Sequence, residues 1–282
     1  AMADSSITVA NPSGNQWTCV ADVADADTDG AVAFSIAFSD PTGNAGTAVT
    51  TVTDSSSVTV DNTHPTLTIA MASNNADNTK AKTNDVITLT ITASETVTGL
   101  VCTIDGEATT MGGSGISWTS ALTVSGDETQ GATSFSCASH VDAAGNAGAT
   151  DTDANSGSVT IDYTAPTLTA VGLAVDNTGN ANNGDDVTLT FTASETVGTP
   201  TCTFTSGGDA MADSSITVAN PSGNQWTCVA NVADADTDGA VAFSIAFSDS
   251  AGNAGTAVSA VTDSSSVTVD NTHPTLTIAM TS

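Results

Sequence analysis

Three features of the sequence predict an all-β fold of tandem two-layer sandwiches: a long internal repeat, period-two apolar patterning between turn signals, and no convincing helical periodicity. Residues 1–73 return as 210–282, at an offset of 209, with changes only at positions 22, 41, 42, 50, 51 and 72. A catalytic domain has no physical reason to carry a near-copy of its own first quarter. An array of modules does, because each module needs only a neighbour like the last.

The 209-residue period is itself double. Asp61-Asn-Thr-His64-Pro65-Thr-Leu67 recurs as Asp162-Tyr-Thr-Ala165-Pro166-Thr-Leu168 and as Asp270-Asn-Thr-His273-Pro274-Thr-Leu276, in steps of 101 and 108 residues. Each step suits one β-domain. The reading is a partial B module at 1–61, a module A at 62–162, a module B at 163–270, and the first strand of a further A module at 271–282. Residues 1–61 lack strands A, B and C and could not close a core alone. Either the chain continues beyond both ends or another subunit donates the missing strands; continuation is preferred.

Within modules, Ile87, Leu89, Ile91 and Ala93 alternate with polar residues, as do Val187, Leu189, Phe191 and Ala193. Val241, Phe243, Ile245 and Phe247 form a third stripe, and Val267 with Val269 a shorter one. Such alternation, rich in Thr and Val, is the signature of half-buried strands. About seven short strands per hundred residues, separated by Gly, Asn, Asp and Pro turns, predict immunoglobulin-like Greek-key sandwiches arranged end to end. In module B the strands are placed at 166–171, 187–194, 200–205, 214–219, 226–232, 240–248 and 264–270, labelled A to G. Trp118 and Trp226 are expected to open the E strands as core plugs, and His140 to stand where module B has Phe247.

Two lysines, no arginine and 31 acidic residues give a net charge of −29. Nucleic acid and anionic membrane surfaces are thereby excluded as electrostatic partners. No run reaches the length of a membrane span. His64 and His273 lie in junctions, and no serine, cysteine or carboxylate pair stands near a histidine in a triad-like arrangement, so no enzyme is predicted.

Of the five cysteines, module A holds Cys102 and Cys137 and module B holds Cys202 and Cys228. All are in phase with core residues, which predicts one disulfide per module and an oxidising, extracellular compartment. The alternative is buried free thiols. Cys19 is the copy of Cys228, and its partner would precede residue 1.

The acids are expected to gather where modules meet, the E–F loop and strand-G end of one module facing the B–C and F–G loops of the next. Asp25, Asp27 and Asp29 form an E–F loop and Asp61 ends strand G; across the junction stand Glu95 and Asp142. The next junction combines Asp162 with Glu195 and Asp249, beside Asp127 and Glu128; the third begins with Asp234, Asp236, Asp238 and Asp270. Converging carboxylates call for a cation, and Ca²⁺ accepts six to eight oxygen ligands in flexible geometry. An EF-hand is rejected, because position 12 of the Asp-x-Asp-x-Asp-Gly run is Ile36 or Ile245. The alternative is that these acids are solvated turn formers.

Asp-x-Thr-x-Pro-Thr at the junctions, Ala-Ser-Glu-Thr-Val at 93–97 and 193–197, and Asp-x-x-Gly-Asn-x-Gly at 40–46, 142–148 and 249–255 complete the pattern. Together they resemble the tandem bacterial immunoglobulin-like repeats of giant surface adhesins and cadherin-like stalk modules. The resemblance implies an extracellular stalk or fibre rigidified by calcium. It points to Asp61, Asp162 and Asp270, with Asp40, Asp142 and Asp249, as ligands. The expected function is a structural repeat segment whose partners are neighbouring copies of itself. The alternative is an adhesin whose repeats bind a glycan or a protein, for which the Thr205–Ala212 connection of module B is the place to look.

Overall fold

Strand formation follows the apolar stripes wherever a partner strand is present to receive them. The structure is a computed structural model that describes residues 7–212 and 215–281. These residues form strands and no helix. Contacts divide the chain into two units. One comprises Ala1–Met71, Thr88–Leu122 and Ser134–Gly157; the other comprises Ala72–Ile87, Thr123–Thr133 and Ser158–Ser282.

The first strands are β1 (Thr8–Ser13), β2 (Gln16–Val20), β3 (Gly30–Ala31) and β4 (Thr59–Val60). They form two isolated pairs, β1–β2 and β3–β4. The stretch read from the sequence as module A, 62–162, holds β5 (Leu67–Ser73), β6 (Lys80–Ala81), β7 (Val86–Val97), β8 (Val101–Ile104), β9 (Glu107–Ala108), β10 (Thr110–Thr123), β11 (Gly131–Ala132), β12 (Phe135–Ala138) and β13 (Thr160–Ile161). Its sheets are β10-β7-β5, β12-β8-β9 and β11-β13-β6.

Strand β10 doubles back. Gly113 and Gly115 have φ of 93° and 67°, and a Cβ on Gly113 would meet the Ser117 carbonyl oxygen at 2.2 Å. Only glycine fits a turn so closely closed on itself. Trp118 therefore lies on the return arm, half-buried, with its indole donating to the Gly115 carbonyl at 2.9 Å. It is a hairpin fastener and not the core plug expected. The buried plug of module B is Trp226.

Module B contains β14 (Leu168–Val175), β15 (Asp186–Ala193), β16 (Thr201–Ser206), β17 (Asp209–Ala210), β18 (Thr217–Ser222), β19 (Gln225–Asn231), β20 (Gly239–Ala246) and β21 (Thr268–Val269). One sheet runs β14-β15-β19-β18 and the other β17-β16-β20-β21. In strand letters these are A-B-E-D and C′-C-F-G, the order of an immunoglobulin-like sandwich. The core between the sheets is built from Leu189, Phe191, Phe204, Trp226, Phe243 and Ile245, among others. The last strand is shorter than the sequence predicts, two residues against seven, and β17 adds a strand inside the 205–212 connection.

Cys202 on β16 and Cys228 on β19 join the two sheets of module B. Cys102 on β8 and Cys137 on β12 are register partners within one sheet of module A. The two staples thus act at different levels, between layers in one module and within a layer in the other.

The Asp-x-x-Gly-Asn-x-Gly motif also shapes the core. A Cβ on Gly255 would lie 2.1 Å from the Phe247 ring, and on Gly148 1.9 Å from the His140 imidazole. The last glycine of the motif is therefore a seat for a ring. His140 takes the place of Phe247, is 1% exposed, and neither ring nitrogen has a hydrogen-bond partner. Burying such a group without a partner costs about 1–3 kcal/mol. His140→Phe, which restores the residue found in the copies, is expected to stabilise module A by about that amount. Denaturant unfolding with hydrogen exchange at 135–138 would register the change; an unchanged or lower stability would contradict it.

Candidate metal centre

Two carboxylate triads form at equivalent places. Asp61, Glu95 and Asp142 bring one oxygen each within 4.8 Å of one another, and Asp162, Glu195 and Asp249 do the same. Each triad draws on the segment after strand G, the end of strand B and the turn after strand F. Asp142 and Asp249 are buried, and Glu95 and Glu195 are half-buried.

The turn residues explain how each aspartate is held. Asp142 Oδ1 accepts from the Gly145 and Asn146 backbone amides at 2.7 and 2.9 Å, and Oδ2 from Asn146 Nδ2 at 2.7 Å. Asn146 Nδ2 also donates to the Asp61 carbonyl at 2.9 Å. Asn253 repeats this, bonding both oxygens of Asp249 at 2.8 Å and the Asp162 carbonyl at 2.8 Å. The asparagine thus ties the F–G turn to the residue that ends strand G. Asp40, in the partial module, is held by Asn44 in the same way and lies at a pKa of about 2, chiefly through the Asn44 side chain.

Electrostatics concentrate strain on the glutamates. Burial, then the charges of Asp142, Asp61 and Asp29, push the Glu95 carboxyl above its ordinary value. Burial, then Asp162 and Asp249, do the same to Glu195. Burial also pushes Asp142 upward, but the Asn146 and Gly145 hydrogen bonds outweigh it and leave that carboxyl low. Each triad therefore holds a glutamate that ionises reluctantly. Three carboxylates at this spacing offer up to six hard oxygen donors, which fits Ca²⁺ better than a soft-ligand metal.

The other predicted ligands separate from the triads. Asp27 and Asp236 are buried turn caps, accepting from the Ala24 and Ala233 amides at 2.9 Å, and Glu128 caps the equivalent turn in module A. Asp29 accepts from the Asn62 amide at 2.7 Å and the Thr63 hydroxyl at 2.5 Å. Asp238 receives the same pair from Asn271 and Thr272 at 2.6 and 2.5 Å. These bonds hold both carboxyls low. Asp25 and Asp234 are exposed. Asp270 lines a small cavity with Asn182, Asn183, Asp234 and His273, without forming a described triad.

Sequence reasoning missed Gln130. Its Oε1 accepts from the Tyr163 amide at 2.9 Å and the Thr164 hydroxyl at 2.9 Å, in the role of Asp29. Alignment of the E–F loops onto the following Thr-x-Pro would have found it. The first triad thus has a fourth carboxylate beside it and the second a neutral amide.

No family model and no curated protein matches this chain. Among solved structures, an I-band fragment of titin aligns over 73% of this chain and 64% of its own, at 12% identity and a TM-score of 0.39. The full ectodomain of mouse nectin-like molecule 4 aligns over 76% and 72%, at 13% identity and a TM-score of 0.27. The tandem Ig repeats of Dlar align over 73% and 97%, at 12% identity and a TM-score of 0.23. The immunoglobulin-like assignment of this chain rests on its strand order.

Proposed function

We propose that this chain is a structural segment of an extracellular stalk or fibre, of the bacterial immunoglobulin-like or cadherin-like kind, in which calcium at the module junctions stiffens a row of modules. The role is mechanical spacing, not catalysis, and the partners are neighbouring copies of the same modules. Recurrence carries this reading. The same three carboxylates meet twice, although the residues around them differ, with Asp29 and Asn62 in one place and Gln130 and Tyr163 in the other. Disulfides in both modules suit an oxidising compartment. The 205–212 connection folds into the β16–β17 hairpin and buries Met211.

The test is melting and small-angle scattering of the chain in calcium and in chelator, beside a Glu95→Gln/Glu195→Gln variant. Calcium about 100-fold above Kd adds about 2.7 kcal/mol to the state that binds it, a rise of roughly 10–20 °C for a domain of this size. In calcium the maximum dimension should stay extended; chelator should shorten it. The variant should melt higher than the parent without metal, because like charge is removed, and should lose the calcium increment. A parent unmoved by calcium, or a variant that keeps the increment, refutes the reading.

The pH dependence follows from the raised glutamates. The folded chain binds protons at Glu95 and Glu195 that the unfolded chain releases, so their ionisation penalty is relieved as pH falls through the raised folded values. The penalty is fully present above those values. Protonation also removes a ligand, so the calcium increment should shrink over the same window.

A further inference from the structure

The two lysines of this acidic chain, Lys80 and Lys82, lie in one short segment, and that segment touches a turn of the second candidate centre. Between β5 and β7, residues 74–85 close around a buried carboxylate. Asp85 Oδ2 accepts from the Lys82 amide at 2.8 Å and from Asn75 Nδ2 at 2.6 Å, and Oδ1 pairs with Lys82 Nζ at 3.2 Å. Asn75 Nδ2 carries a second hydrogen, which leaves the segment and reaches the Ala251 carbonyl at 2.8 Å. Residues 72–87 and 158–282 belong to one compact unit.

Ala251 stands in the Asp249-Ser-Ala-Gly-Asn253 turn and is 1% exposed. Ala144, at the same place in the Asp142–Asn146 turn, is exposed, so the turn's own shape does not bury this alanine. Lys82 completes the contact. A Cβ on Gly252 would meet Lys82 Cε at 3.6 Å, so the lysine stem lies over the glycine while its ammonium stays on Asp85. The carboxylate frame is intrinsic to the loop, because Asp185 accepts from Asn177 Nδ2 and the Asn182 amide in the same way. The lysine is particular to residues 74–85, since asparagine stands at its place in 177–185.

We propose that residues 74–85 are a clamp for the 249–253 turn, and that Asn75 and Lys82 are positioning residues for the Asp162, Glu195 and Asp249 triad. The turn then has two anchors. Asn253 ties it to the Asp162 carbonyl at 2.8 Å, and Asn75 ties it at Ala251, two residues away. Three like charges push the turn outward, and a turn held at two points cannot swing Asp249 away from its partners. The fold thus opposes the repulsion before any cation arrives. Under the calcium reading proposed above, on which this step rests, the clamp preorganises the second centre and raises its affinity.

The test uses the full chain with Asn75→Ala on one side of the contact and Ala251→Leu on the other. The leucine overfills the buried seat while leaving the Asn75–Asp85 bond in place. In chelator, amide exchange of a peptide covering 249–255 should quicken about two- to tenfold in each variant, with 187–193 in β15 unchanged. Both variants open one contact, so the double variant should exchange no faster than the faster single. Calorimetry with calcium alone gives the second readout, and the glutamates separate the centres. In a Glu95→Gln background, where uptake reports the second triad, Asn75→Ala should weaken calcium binding about two- to tenfold. In a Glu195→Gln background, where uptake reports the first triad, it should change nothing. The clamp is overturned if exchange at 249–255 is unchanged in either variant, if the two effects add, or if both centres weaken alike. A Glu95→Gln chain that takes up no calcium refutes the calcium reading instead, and exchange in chelator then decides the clamp by itself.

Discussion

Phe191→Ala is expected to destabilise module B by about 3–5 kcal/mol, the cost of deleting a fully buried aromatic ring. Phe191 has no exposed surface, sits midway along β15, and is the register partner of Trp226. Both sheets contribute to the core around it, Phe204 and Phe243 from one and Leu189 and Trp226 from the other. A cavity there cannot collapse without drawing the layers together, so the loss falls at the upper end of the range. Domains are stable by only about 5–15 kcal/mol, which makes this a large fraction of the whole. Hydrogen exchange at 225–231 should accelerate by the corresponding factor, while 101–104 in module A stays unchanged. Loss below about 1 kcal/mol would mean that the ring is not a packing centre.

Removing the inter-sheet disulfide is expected to cost nearly as much. Cys202→Ala/Cys228→Ala opens a link of sequence separation 26, worth about 3.5 kcal/mol in the chain-entropy model. Cys102→Ala/Cys137→Ala opens one of separation 35, worth about 3.8 kcal/mol in the same model. The two should differ in kind more than in size. Cutting Cys202–Cys228 removes a tether between layers, whereas β8 and β12 remain joined by their ladder when Cys102–Cys137 is cut. Urea unfolding of each double variant measures the loss. If the β8–β12 link proves as costly to β-ladder protection at 135–138 as the inter-sheet link is to 225–231, this distinction is wrong.

The strand stripes were legible because alternation is a local signal. Val187, Leu189, Phe191 and Ala193 are buried, as are Ile87, Leu89, Ile91 and Ala93. The junction acids were grouped through the loop positions of the expected sandwich, and the structure brings Asp61 with Glu95 and Asp142, and Asp162 with Glu195 and Asp249. What could not be read was the division of labour among them. Asp27 and Asp29 stand two residues apart in one acidic run, yet one caps its own turn and the other reaches Asn62 and Thr63. Nothing local distinguishes such roles. Gln130 is hidden for the same reason, because an amide in place of a carboxylate breaks the charge pattern while keeping the hydrogen bond.

The two near-identical copies separate the contributions of sequence and tertiary structure. The sequence alone determined the all-β class and the buried face of the main apolar stripes, such as Val187, Leu189, Phe191 and Ala193. Tertiary structure decided whether that face became a core. Gln16–Val20 is a bare edge strand, while the same five residues at 225–229 lie in β19 with Trp226 and Cys228 buried. Residues 67–71 form part of β5, yet the identical 276–280 form no strand and leave Leu276, Ile278 and Met280 exposed. Period-two patterning specifies a surface that can be buried. The ladder hydrogen bonds and the covering side chains come from residues distant in the chain, and only their presence turns that surface into a sheet.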